Sequence, residues 1–198
     1  MPDSAPSQLV LASQSPRRAQ MLAAAGYRFV QRDPGWQDPA RPQVRASAMQ
    51  AAEEIARRKA EASPPQHPGE LVLTADTLVE MPDGSLAGTP EGEVAARRML
   101  ERLVDATHGV VTAVALRNDG EMEVIVDRAE VRLGPVSEAD REAYLATDRW
   151  KGKAGGYHHA ERTAAGWPIE ILGEPTTVAG LPMPMLARRL AEKGITPE

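Results

Sequence analysis

Leu9-Val10-Leu11-Ala12-Ser13-Gln14-Ser15-Pro16-Arg17-Arg18 is the stretch on which the fold class turns. Its first residues form a short apolar run, the signature of a buried strand. Ser15-Pro16 then opens a helix, with Ser15 as N-cap and Pro16 at the first helical position. Two arginines follow inside the first helical turn, where the helix dipole disfavours cations. An anion at that end reverses the sign. Exposed backbone N–H groups, Ser13, Ser15 and two guanidinium groups would together make a phosphate site. The alternative is a capped helix with solvated arginines, and the local pattern alone does not separate the two.

Outward from this stretch, the first helix is expected over Pro16 to Ala25, stopping at Gly26. A short strand follows at Tyr27 to Gln31, then an irregular, proline-rich loop over residues 32–43. A second helix is expected over Val44 to Ala62, with Val44, Ala48, Ala51, Ile55 and Lys59 on its apolar side. A lysine on that stripe either snorkels past the core or points into a site, and position alone favours snorkelling. Leu71 to Ala75 reads as a second buried strand, with Asp76-Thr77 at its carboxyl end, where sites of α/β sheets gather. The turn Pro82-Asp83-Gly84 makes residues 71–87 a hairpin.

Thr89-Pro90 is expected to start a helix carrying Val94, Met99, Leu100, Leu103 and Val104 inward. Gly109 to Arg117 and Glu121 to Leu133 flank Asn118-Asp119-Gly120, a strong antiparallel hairpin signal. Ser137 with Asp140 resembles a capping box and opens a helix to Ala146. Lys151-Gly152-Lys153-Ala154-Gly155-Gly156 is a glycine-rich basic loop without the spacing of a Walker P-loop. A strand at Ile169 to Leu172 and a helix from Pro182 to Gly194 complete the chain. There is no internal repeat and no long linker, so the order of elements predicts one α/β domain with a mixed sheet.

Composition narrows the function. The 198 residues suffice for one sizeable core. Aromatic residues are 4% of the chain with a single Phe, so that core must be Ala, Leu and Val. A net charge of -5 argues against coating nucleic acid. The absence of cysteine excludes disulfides, Cys-ligated zinc and a thiol nucleophile. No apolar stretch reaches the length of a membrane span, and no secretory signal is visible, so the expected location is the cytoplasm.

Four stretches in this order resemble the Maf family, the septum-formation-inhibitor-like nucleotide pyrophosphatases. They are Leu11 to Arg18; Ala56-Arg57-Arg58-Lys59-Ala60; Ala75-Asp76-Thr77; and Lys153-Ala154-Gly155 with Val178-Ala179-Gly180-Leu181-Pro182. The resemblance implies hydrolysis of a nucleoside triphosphate to monophosphate and pyrophosphate, removing non-standard or surplus nucleotides. It implies an elongated mixed β-sheet flanked by helices, with two lobes and a central cleft. The domain would span residues 9–190, with flexible termini at 1–8 and 191–198. It also implies a divalent cation, Mg2+ or Mn2+, and homodimers are common in the family; the charge and the lack of a long apolar run predict no nucleic-acid or membrane partner.

By match to the family motifs, Asp76 would be the general base or its metal-linked equivalent. Ser13, Arg17, Arg18 and Lys59 would hold the phosphates, and Lys153 would do so from the far lobe. Asp38 would join Asp76 in placing the metal. Arg17 and Thr77 stand where the dTTP/UTP branch carries Arg and Thr, and the branch acting on methylated guanosine triphosphate carries Trp and Gln.

The chain departs from the family pattern in three places. Thr89 occupies a lysine slot, Gly152 an aspartate slot, and the family Gln or Glu falls on Ala160 or Glu161 within an unmatched segment, His158-His159-Ala160-Glu161-Arg162. A lost charge aimed at a phosphate costs about 2–4 kcal/mol of barrier by analogy with a lost oxyanion donor. Lys151, His158, His159 or Arg162 are the candidates to replace it. The two histidines read either as metal ligands or as exposed loop residues on opposite faces of an extended chain. Three functions follow: a weakened pyrophosphatase, a nucleotide- or division-partner-binding protein without turnover, or a hydrolase redirected to another phosphoanhydride.

Overall fold

A computed structural model of the chain describes residues 7–36 and 47–198. It is an α/β fold built on a mixed seven-stranded sheet, and among the described residues seven α-helices flank it. The strands are β1 (Gln8–Ala12), β2 (Phe29–Arg32), β3 (Glu70–Glu80), β4 (Leu86–Ala87), β5 (Ala106–Arg117), β6 (Met122–Leu133) and β7 (Ile169–Leu172). Their order is β2-β1-β3-β5-β6-β7, with β4 paired to the far end of β3. The helices are α1 (Pro16–Ala24), α2 (Ala48–Ala62), α3 (Glu93–Leu103), α4 (Glu138–Leu145), α5 (His159–Ala164), α6 (Pro175–Ala179) and α7 (Met183–Glu192).

The sheet changes character along β3. Residues Glu70–Leu73 pair in parallel with β1, while Val72–Glu80 pair antiparallel with β5. β3 does not end at Ala75, as its apolar run predicted, but continues to Glu80. What ends there is β1, at Ala12. Asp76 and Thr77 therefore sit mid-strand, just past the end of a neighbour, and the gap beside them is the mouth of a cleft.

Alternation along the strands divides the core. Leu9, Leu11, Leu71, Leu73 and Ala75 pack against Leu22 of α1 and Leu186 and Leu190 of α7. The opposite face belongs to α2, whose Ala51, Ile55 and Ala56 meet Leu78, Val111 and Ala113. Ser47 and Gln50 close a reciprocal capping box at the start of α2. The third cluster lies at the other end of the sheet, where α3 and α4 enclose Val79, Val110, Leu133, Trp150 and Trp167.

α3 starts at Glu93, later than Thr89-Pro90 predicted. The residues before it are tied to the basic loop, since the Gly155 N–H donates to the Gly88 carbonyl. Val94, expected inward, is 64% exposed. Ala96, Leu100 and Leu103 form the buried stripe, and Val94 falls on the opposite face. The C-terminal residues pack beside α1: the Glu198 N–H donates to Gly26, and Glu198 pairs with Arg28.

Candidate active site

Strand alternation places the central pair. Thr74, Asp76 and Leu78 face α2, while Ala75 and Thr77 face α1. The Thr74 hydroxyl donates to the Ala56 carbonyl of α2, which fixes helix to strand. One turn on, Lys59 reaches Asp76, with Nζ 2.8 Å from Oδ1. Both are buried, at 8% and 7% exposure, so Lys59 points into the site and does not snorkel. Asp76 Oδ2 is buried and has no hydrogen-bond partner among the described residues. A buried carboxylate oxygen left open in this way awaits a water, a cation or a substrate.

Arg18 stitches the other face. Its Nη1 donates to the Ala75 carbonyl (2.8 Å) and to Ser13 Oγ (3.3 Å), its Nε to the Gly180 carbonyl (3.1 Å), and its Nη2 to Thr77 Oγ1 (3.3 Å). Gly180 ends α6 in the left-handed region at φ 115, which lets its carbonyl face the guanidinium. Thr112 Oγ1 donates to the Thr177 carbonyl (2.7 Å) and so spends its one proton. Thr77 Oγ1, 2.9 Å from Thr112, must then donate to it while accepting from Arg18. Thr177 in turn donates to Asp127. Sequence reading missed Thr112, Thr177 and Asp127; hydroxyls amid the valines and alanines of β5 were the available signal for the first.

Arg17 lines the cleft and makes no hydrogen bond or ion pair among the described residues, whereas Ser13 is turned to Arg18 and to the Ser15 N–H. Ser15 is the N-cap of α1, as expected, but its side chain makes no capping bond. The first N–H groups of α1 thus lie at the cleft without an internal acceptor.

The cleft holds about 500 Å3. Its first wall is α1, Lys59, Asp76 and Thr77, and its second is Thr89, Gly152, Ala154 and Tyr157 to His159. Gly155 (φ 72) shapes the second wall, and a Cβ there would lie 3.1 Å from Val79. Lys153 is not in the lining; its Nζ is 2.6 Å from Glu161 Oε2. Of the other basic residues near the departures, Lys151 is paired with Asp148 outside the cleft. Arg162 is buried with its guanidinium 4.3 Å from the centre of the Tyr144 ring.

His158 and His159 do not point to opposite faces, and neither is exposed: both are half-buried and both line the cleft. The chain is extended as far as His158, the N-cap of α5, and turns into the helix at His159, its first residue. Their ring centroids are 4.9 Å apart. Burial, with Arg17 beside it, pushes the His158 pKa down to about 4, and the same causes lower His159. Deeper in, His108 Nε2 is 3.0 Å from the Tyr157 hydroxyl, and burial takes its pKa down to about 4. Neither His108 nor Tyr157 stood out in the sequence.

Asp38 lies outside the described residues. Among those described, no three His, Cys, Asp or Glu side chains converge as a ready metal cage. The open Asp76 Oδ2 nevertheless suits a magnesium-like ion, which commonly takes one or two carboxylates and completes its shell with substrate phosphates. No helix among the described residues is long and apolar enough to cross a membrane.

A family model described as Maf-like protein matches residues 8–193. The chain is 39% identical over 184 residues to the dTTP/UTP pyrophosphatase of Salinibacter ruber, covering 92% of this chain and 89% of that protein. The dTTP/UTP pyrophosphatase of Symbiobacterium thermophilum is 37% identical, with 94% of each chain covered. That of Thermus thermophilus is 36% identical, with 96% of each covered.

Proposed function

The chain belongs to the Maf family, and from that premise we propose that it hydrolyses nucleoside triphosphates, dTTP and UTP foremost, to the monophosphate and pyrophosphate. The observation that carries this reading is the Asp76 carboxylate. One oxygen is held by Lys59 and the other is open, in a cleft bordered by Arg17 and the uncapped start of α1.

In this reading Asp76 Oδ2 accepts a proton from the attacking water. The water oxygen bonds to the α-phosphorus, the bridging P–O bond to the β-phosphate breaks, and pyrophosphate leaves. Lys59 holds Asp76 Oδ1 at 2.8 Å and so aims the carboxylate. Arg17 and the N–H groups of α1 neutralise the phosphates. Arg18 fixes Thr77 and the Gly180 turn and so sets the width of the cleft. A bound magnesium or manganese ion, held by Asp76 and by Asp38, would neutralise charge on the phosphates. A homodimer in the cytoplasm belongs to the same reading, and sedimentation tests the dimer.

The Asp76–Lys59 pair is intact, so nothing in the site favours a binding protein without turnover. Incubation of the full chain with dTTP or UTP and magnesium or manganese should yield pyrophosphate. Asp76→Asn should lower the rate by about 100- to 10,000-fold, the range for a lost general base. A rate unchanged by that substitution would overturn the assignment.

A further inference from the structure

The second wall contains two imidazoles whose cost is not offset within the protein. His158 and His159 line the cleft, and the Nδ1 of each is buried without a hydrogen-bond partner among the described residues. A buried nitrogen left unmet is destabilising, so two side by side are accounted for by a ligand that completes them.

The charges around them decide its sign. Arg17 of α1 faces both rings, and its field disfavours their protonated forms. Glu161 is the acid nearest to His158, with Oε1 3.8 Å from Nδ1 and beyond hydrogen-bond reach, while Oε2 is taken by Lys153. Among the described residues of the opposite wall, Asp76 and Lys59 form an ion pair. Among the described residues, Arg17 is the cation in view of the imidazoles that makes no ion pair. A metal cation would be repelled from such a place, and a polyanion would be drawn to it. Thr89 lines the same cleft and carries no charge. Lys151 and Arg162 are engaged elsewhere.

We propose that His158 and His159 are substrate-binding residues that, with Arg17, hold the polyphosphate chain of the nucleotide against the second wall, replacing the charge that Thr89 lacks. This rests on the reading that the cleft takes a nucleoside triphosphate. Burial and Arg17 keep the free imidazoles neutral at pH 7. A polyphosphate reverses the local field and favours their protonated forms, so binding takes up protons. Affinity falls as the pH rises through the histidine range of the complex.

The test is calorimetric titration of the full chain with magnesium tripolyphosphate at pH 6.5, in two buffers of different ionisation enthalpy. Wild type is compared with His158→Ala/His159→Ala and with His158→Gln/His159→Gln. Wild type should take up roughly one proton more per anion than either variant, and bind about tenfold more tightly than the alanine variant. The glutamine variant, which donates hydrogen bonds but does not titrate, should recover part of the affinity and none of the proton uptake. It also decides the question if the alanine variant fails to fold. With UTP, the alanine variant should raise KM about tenfold with kcat within about twofold, the mark of binding common to ground and transition states. Equal proton uptake and equal affinity in wild type and the glutamine variant would overturn the proposal. Histidine-dependent uptake in a chain that releases no pyrophosphate from any nucleotide would instead overturn the hydrolase reading and leave this site standing.

Discussion

On the wall made by α1, α2 and β3, Arg18 spends its donors on Ser13, Ala75, Thr77 and Gly180, and Lys59 closes on Asp76. On the wall made by residues 152–162, His158 and His159 leave buried nitrogens unmet. Among the described residues, the first wall is finished before any ligand arrives, apart from Asp76 Oδ2 and the cationic Arg17 in the same cleft. On the proposal above, the second wall is completed by the polyphosphate. Reacting groups are best held rigid in advance. Groups that grip the distant part of a substrate can tolerate being incomplete until it binds, at some cost in affinity. In the proposed reading the first wall carries the chemistry and, with Arg17, part of the grip, and the second wall adds to the grip.

The largest effect should come from breaking the pair at the centre of the first wall. Lys59→Met leaves the Asp76 carboxylate buried and uncompensated, which should cost about 3–5 kcal/mol in a urea melt. A loss below about 1 kcal/mol would mean the wall is not organised around this pair. Adjacent arginines give the next contrast. Arg18→Ala orphans carbonyls on β3 and at Gly180 and should cost about 2–3 kcal/mol. Arg17→Ala should leave stability within about 0.5 kcal/mol and raise the KM for UTP about tenfold. Equal effects of the two on stability would erase the distinction between the stitching and the ligand-facing residue.

The histidines of the cleft, His108 on β5 and His158 on the second wall, should carry the pH dependence of stability. His108 and His158 both have pKa values lowered to about 4 in the folded protein, against 6.5 for an unperturbed histidine. Between those values the unfolded chain binds protons that the folded one does not. Stability should therefore rise with pH across that window and be lost as pH falls from about 6.5 towards about 4. Melting temperatures of wild type and His108→Gln across this range check it, and identical slopes would contradict the assignment to His108. The smallest effect is a gain. Thr89→Lys returns a charge to the cleft and should lower the KM for UTP about threefold, less than a full phosphate contact because the histidines already act there. A gain of about a hundredfold would show that they do not.

How much of this was legible depended on local pattern. The strand, N-cap and helix start at Leu9 to Arg18 carry their own signals, and β1 and α1 lie where they were expected. The hairpin around Asn118-Asp119-Gly120 is equally local. Lys59 was visible on the apolar stripe of α2, but its partner depends on the alternation of β3, whose length the sequence understated. Five- and six-residue helices such as α6 and α5 are too short to show a period. The histidine pair was misjudged because the chain, extended up to His158, turns into α5 at His159 and brings the two rings together. The hydroxyl chain from Thr77 to Asp127 joins β3, β5, α6 and β6, and no window of sequence contains it.

The most direct test is the product analysis of UTP and dTTP turned over in water labelled with heavy oxygen, for wild type beside Asp76→Asn. Attack on the α-phosphorus puts the label on the nucleoside monophosphate and leaves pyrophosphate unlabelled, and the variant should form either product about 100- to 10,000-fold more slowly. Labelled orthophosphate with a nucleoside diphosphate, or equal rates for the two proteins, would contradict an Asp76-centred pyrophosphatase.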